Sequence, residues 1–131
     1  MSNSTPHILL IDDEKGVLSA LKLVLTKVLG YQVSDYSNSL EALTVLKSGE
    51  LKPDWIVSDL RMPDADGLDV LKARNDNCAD IPFILISGHA TEEDKKKALS
   101  LGAIAVVRKP FAPQELQKII EQNALESVTT A

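Results

Sequence analysis

Five short apolar runs, each followed by a stretch of helical periodicity, leave this chain few folds to adopt. The runs are Ile8-Leu9-Leu10-Ile11, Tyr31 to Tyr36, Trp55-Ile56-Val57, Phe83 to Ile86 and Ala105-Val106-Val107. Four of them are near-continuous rather than alternating, the pattern of strands buried on both faces. Tyr31 to Tyr36 is broken by Gln32, Ser34 and Asp35 and reads as an edge strand.

The intervening segments read as helices. From Lys15 to Leu29 the residues Val17, Leu18, Leu21, Val24, Leu25 and Val28 recur at three- and four-residue spacing, giving one apolar stripe that Gly30 stops. A second helix spans about Ser39 to Ser48, with Asn38 and Glu41 as a capping-box pair and Gly49 at its end. A third, short helix follows Gly67, with Leu68 and Leu71 facing inward. Thr91-Glu92-Glu93-Asp94 opens a fourth with a cap signature. The fifth begins at Pro113, and Leu116, Ile119, Ile120 and Ala124 form its stripe. Ala112 offers it no capping side chain, a loss of about 1 kcal/mol. The polar tail Ser127 to Ala131 reads as frayed. Strand then helix, five times over, means βαβ units, right-handed crossovers and an α/β fold with a parallel sheet covered on both faces.

Size and charge narrow the function. The 131 residues suit one domain, with an ordered core from about residue 6 to 126. Nineteen acids against fourteen Lys and Arg give a net charge of −5, which argues against nucleic-acid binding by this chain. No apolar run has the length of a membrane helix, and Met1 to His7 lacks the apolar centre of a signal peptide. The lone Cys78 fits a reducing compartment and reads as an inert thiol. Together these features point to the cytoplasm.

In an open parallel sheet, ligands bind at the carboxyl ends of the strands. Asp12, Asp13 and Glu14 follow the first run, Ser58 and Asp59 the third, Ser87 and Gly88 the fourth, and Arg108 and Lys109 the fifth. Acids, a hydroxyl and a lysine therefore converge on one sheet edge. Two carboxylates 4 Å apart repel by about 4 kcal/mol at an effective dielectric of 20, so the cluster needs cations. Lys109 is one, and a hard divalent ion such as magnesium is the other that such oxygen donors suit. An aspartate can act as a nucleophile toward phosphorus, and phosphoryl transfer is driven mainly by positioning and charge neutralisation. The bland alternative is that the acids are helix caps, with Asp13 capping the first helix; it leaves Lys109 and Ser87 unexplained.

These residues carry a family resemblance. Ile8-Leu9-Leu10-Ile11-Asp12-Asp13-Glu14, the stretch Pro53 to Gly67 around Ser58-Asp59-Leu60-Arg61-Met62-Pro63, Ile86-Ser87-Gly88-His89-Ala90 and Arg108-Lys109-Pro110-Phe111 stand in the order and spacing of the receiver domains of two-component response regulators. The resemblance covers nearly the whole chain. It implies a flavodoxin-like doubly wound (βα)5 fold with strand order 2-1-3-4-5, as chemotaxis receivers have. It further implies that Asp59 accepts a phosphoryl group from a sensor histidine kinase or phosphotransfer protein. Asp13, Asp59 and the Arg61 carbonyl would ligate Mg2+, or Mn2+ in its place, with Asp12 acting largely through water. Lys109 would pair with Asp59 at rest and with the phosphate afterwards, and Ser87 would swing in to bond a phosphate oxygen. Lys109-Pro110 would be a cis peptide, and Pro63 and Gly67 would shape the loop after the acceptor. Arg61 and His89 flank the site, where such residues tune acyl-phosphate lifetime. A longer regulator that begins with this domain and carries an output domain beyond it is compatible with the match.

One position departs from the family. Many receivers carry Tyr or Phe three residues before the lysine; here it is Val106, so the aromatic half of the signal is missing. Loop ordering, or a homodimer formed through the last two helices, would then have to report phosphorylation. Such a domain turns over no external metabolite. The competing readings are a degenerate receiver that binds partners without phosphate and a haloacid-dehalogenase-type phosphatase. The first predicts losses among Asp12, Asp13, Asp59 and Lys109, all of which are present; the second places Asp-x-Asp after its first strand, where this chain has adjacent acids. Lys95-Lys96-Lys97 reads as a solvated helix surface, His7 as exposed, and Trp55 as packing at the far end of its strand from Asp59.

Overall fold

Alternation along each strand decides what covers the sheet. The computed structural model describes residues 5–130, with side chains through Asn123. Strands β1 (His7–Ile11), β2 (Gln32–Tyr36), β3 (Trp55–Asp59), β4 (Phe83–Ser87) and β5 (Ala105–Arg108) form one parallel sheet in the order β2-β1-β3-β4-β5. This is the flavodoxin-like doubly wound α/β arrangement, with the broken run Gln32 to Tyr36 at one edge as expected. Helices α1 (Lys15–Leu23), α2 (Ser39–Ser48), α3 (Gly67–Asn77), α4 (Glu92–Ser100) and α5 (Pro113–Thr130) connect and follow the strands.

Successive strand side chains point to opposite faces. Leu9, Ile11, Ile56, Phe83 and Leu85 pack with Ala42 and Leu46 of α2, Leu68 and Leu71 of α3, and Ala98 of α4. Ile8, Leu10, Trp55, Val57, Ile84 and Ile86 pack on the other face with Leu18 of α1, Leu25, and Leu116 and Ile120 of α5. Trp55 is thus core, in keeping with its place in the sequence.

The first helix departs from its sequence pattern. From Val24 to Val28 it widens into a π turn. Leu29 donates its N–H to the Val24 carbonyl at 3.1 Å and Tyr31 donates to Leu25 at 2.9 Å. A wider turn rotates the side chains along it, so Val28 leaves the expected stripe and is 67% exposed, while Leu25 stays buried and Leu29 packs on the core. The third helix runs to Asn77, longer than expected, and opens with a reciprocal Asp66–Asp69 capping box. At α5 the missing cap at Ala112 is made good in part: its N–H donates to Glu115 Oε1 at 3.1 Å. That helix continues to Thr130, beyond the Ser127 at which fraying was expected; Ala131 and the side chain of Ala124 lie outside the described residues. His7 is half-buried rather than exposed, its Nε2 2.7 Å from Ser34 Oγ on β2.

The loop from β3 into α3 is held from three directions. Gly67 donates its N–H to the Leu60 carbonyl at 2.8 Å. The buried Ser39 at the start of α2 donates its hydroxyl to the Pro63 carbonyl at 3.0 Å. A Cβ on Gly67 would lie 2.5 Å from the Asp59 carbonyl oxygen and 2.6 Å from Leu85 Cδ1. Gly67→Ala therefore has to push β3 or α3 outward, and a loss of about 1–3 kcal/mol is expected. A lower urea midpoint at unchanged m-value is the measurement that checks it.

Candidate functional site

The carboxyl ends of β1, β3, β4 and β5 bring together the groups that the sequence placed there. Asp12 is fully buried, and its N–H is held by the Tyr36 carbonyl of β2 at 3.2 Å. Asp59 ends β3, 6% exposed, and Leu60 donates its N–H to Asp59 Oδ1 at 3.0 Å. Ser87 ends β4, also buried, and its Oγ accepts the His89 N–H at 3.1 Å. Lys109 follows β5 and is joined to Pro110 by a cis bond, as the resemblance implied, and its N–H bonds the Ser87 carbonyl at 2.8 Å.

Lys109 Nζ stands among the acids. It donates to Asp12 Oδ2 at 2.8 Å and lies 3.4 Å from Asp59 Oδ2 and 3.6 Å from Glu14 Oε1. The lysine was expected to pair with Asp59 at rest; it does, but its shorter bond is to Asp12. The reason is burial: Asp12 has no water to solvate it, so its charge makes the largest demand on the ammonium. Asp13 does not cap α1 either. The cap position is Glu14, which makes no side-chain cap bond, and whose N–H goes to Asp12 Oδ1 at 3.0 Å.

The electrostatics are a consequence of this packing. Burial, then the neighbouring Asp12 charge, push the Asp59 carboxyl up to about 6; the charge and hydrogen bond of Lys109 and the Leu60 N–H work in the other direction. Burial works against the Lys109 ammonium, but the hydrogen bond and charge of Asp12, then those of Asp59, outweigh it and hold its pKa above the ordinary value.

Asp12, Glu14 and Asp59 each offer a carboxylate oxygen, and these lie within 4.8 Å of one another. Three carboxylates against one ammonium leave negative charge uncompensated, and an all-oxygen donor set fits a hard divalent cation. Glu14 is thus part of the acidic cluster although the expected ligand set omitted it, and Asp13 is not. Asp13 instead lines a cleft of about 230 Å3 with Glu14, Asp59, Arg61, Ser87, His89 and Lys109. Val106 is half-buried beside a second cavity of about 430 Å3, shared with Ser87, Ala90, Thr91 and Arg108.

Residues 8–121 match the family model of the response regulator receiver domain. The chain belongs to this family. Among its relatives, the response regulator SaeR of Staphylococcus epidermidis is 37% identical over 110 residues, which cover 84% of this chain and 46% of SaeR. The chain therefore spans less than half the length of the curated relatives it matches. The CheY-like receiver domain protein of Methanospirillum hungatei superposes with a TM-score of 0.85 at 26% identity, covering 98% of this chain and all of that one. A Francisella response regulator receiver domain gives 0.78 at 30% identity, covering 95% and 99%. Among the described residues of this receiver, no helix is long and apolar enough to cross a membrane.

The raised Asp59 pKa has a definite sign in stability. Between an ordinary value of 3.8 and about 6 the folded receiver holds a proton that the unfolded chain has released. Stability from this group is therefore fully present below about pH 4 and is lost as pH rises through about 6. With divalent metal removed, Asp59→Asn is expected to stabilise the receiver by about 2–3 kcal/mol at pH 8 and by nothing below about pH 4. Urea midpoints of both proteins across that range check it, and an equal effect at every pH refutes it.

Proposed function

We propose that this receiver accepts a phosphoryl group on Asp59 from a phosphohistidine of a sensor histidine kinase or phosphotransfer protein, and that the acyl phosphate switches an output. The observation that carries the reading is a carboxyl group at the end of the central strand β3, buried, within 3.4 Å of Lys109 and open to a cleft. At neutral pH a group with a pKa of about 6 is mostly ionised and can attack. An Asp59 carboxylate oxygen forms the new O–P bond, the P–N bond of the donor breaks, and its electron pair returns to the imidazole nitrogen.

The rest of the site positions and neutralises. Asp59, with Asp13 from the same cleft lining and the Arg61 carbonyl, would hold a divalent ion, with Asp12 acting largely through water and Glu14, which clusters with Asp12 and Asp59, adding its charge beside them. Mg2+, with Mn2+ as the substitute, would supply charge neutralisation at the phosphoryl oxygens. Lys109 already holds Asp12 and lies within reach of the incoming phosphate. Ser87, whose hydroxyl accepts a bond from its own loop, would turn to donate to a phosphoryl oxygen. His89 and Arg61 line the cleft and would set how readily water reaches the acyl phosphate.

The donor needs a landing surface beside the acceptor. A groove of about 510 Å3 between Val17, Ala20 and Leu21 of α1 and Pro110-Phe111 adjoins His89 and Lys109, apolar where a donor helix would lie. Since the matched relatives extend well beyond the region they share with this chain, we assign the output to a further domain of a longer regulator, in the cytoplasm. A homodimer through α4, β5 and α5 would use Leu99 and Ile104, both exposed. The receiver turns over no external metabolite. Its intact acidic cluster and lysine favour phosphorylation over a purely constitutive binding module, and the acceptor's place after β3 disfavours a haloacid-dehalogenase-type phosphatase.

Incubation with Mg2+ and acetyl phosphate is expected to add one phosphoryl group by intact mass, lost in Asp59→Asn and without metal. No gain under any condition would leave a constitutive partner-binding module in its place.

A further inference from the structure

The loop after β3 carries a cation that the acids of the cleft do not hold. Arg61 stands two residues after Asp59 and lines the same cleft as Asp13, Asp59 and Lys109. Among the described residues its ion-pair partner is Asp94, 33 positions later on α4, with Nη2 to Oδ2 at 2.7 Å. That oxygen has a second duty. Asp94 Oδ2 also accepts the Thr91 N–H at 3.0 Å, while Thr91 Oγ1 accepts the Asp94 N–H at 3.0 Å, the reciprocal capping box of α4. The carboxylate is therefore fixed by the helix start before Arg61 reaches it, which lowers the entropic cost of the pair. The Thr91 backbone N–H, then the Thr91 hydroxyl and the charges of Arg61 and Lys97, outweigh burial and hold the Asp94 carboxyl below its ordinary range, so it is ionised at neutral pH.

We propose that Asp94 is a positioning residue: by holding the Arg61 guanidinium at the start of α4, it keeps that charge at the wall of the acceptor cleft and off the acids, which are left to Lys109 and a divalent ion. The proposal rests on the assignment of Asp59 as acceptor and of the cleft as the metal site. Released from Asp94, Arg61 is left with the anions that line its own cleft, Asp13 and Asp59 among them. There it would compete with the metal by charge repulsion.

The test compares Mg2+ affinity by isothermal titration calorimetry for the wild-type chain, Asp94→Asn, Asp94→Glu and Thr91→Ala, with thermal midpoints alongside. Asn keeps an acceptor for the Thr91 N–H but loses the charge, so the cap survives and the ion pair does not. Asp94→Asn is expected to weaken Mg2+ binding about fivefold at low salt, an effect that shrinks near 1 M KCl. Asp94→Glu is expected to restore the affinity. Thr91→Ala is expected to lower the thermal midpoint without changing Mg2+ affinity, because it removes the cap bond and keeps the pair.

Wild-type affinity in Asp94→Asn overturns the proposal. So does an equal loss in Thr91→Ala, which would make the helix start rather than the ion pair responsible, or no Mg2+ binding by the wild-type chain. Mg2+ binding without phosphorylation by acetyl phosphate overturns the acceptor assignment instead, and the affinity comparison still decides the role of Asp94.

Discussion

Lys109 and Asp12 meet across the end of the sheet although their strands are not neighbours. β3 and β4 lie between β1 and β5, and with parallel strands about 4.8 Å apart the outer two are roughly 14 Å from each other. The long lysine stem spans part of that gap and delivers an ammonium to a carboxylate that has no solvent of its own. Removing one partner of such a buried pair costs about 3–5 kcal/mol, because the other is left uncompensated. The same ammonium offsets the repulsion between Asp12 and Asp59. Without it the acids could not be packed this closely, and Asp59 would hold its proton to a still higher pH. Clustering of the acids and ionisation of Asp59 both depend on this contact.

The fold was legible because its signals are local. Near-continuous apolar runs such as Phe83 to Ile86 mark strands covered on both faces, and the rule that ligands gather at strand ends then located Asp12, Asp59, Ser87 and Lys109 without any contact being known. What escaped has separate physical causes. The π turn at Val24 changes the helical period within an apolar stripe that reads equally well at 3.6 residues per turn. Glu14 rather than Asp13 joins the acidic cluster because the chain turns into α1 at that residue, and one position of rotation decides which carboxylate faces Lys109. The partnership of Arg61 with Asp94 joins the loop after β3 to the first turn of α4, and no spacing rule links positions so far apart. The Thr91–Asp94 box was visible, but its second use was not.

Two separate spaces meet at the carboxyl end of β4. Ser87 lines both the cleft at Asp59 and the cavity beside Val106. The small Val106 side chain lines that cavity without filling it. The loop after Asp59 is braced by Ser39, whose bond to the Pro63 carbonyl ties it to α2. The same loop also reaches the start of α4 through Arg61, which meets the Thr91 N–H at one carboxylate.

The position of Trp55 has a practical consequence for observing this molecule. It is the only tryptophan, buried at the opposite end of β3 from Asp59, about 13 Å along the strand. Its indole is packed among Ile8, Val57 and Ile84, not beside the acids. Intrinsic fluorescence is therefore a report on the integrity of the sheet and is optically blind to events at the carboxylates. A change in its emission on adding metal would mean that the distant end of β3 had been repacked, making the single indole a built-in discriminator between a local rearrangement and one that crosses the whole core.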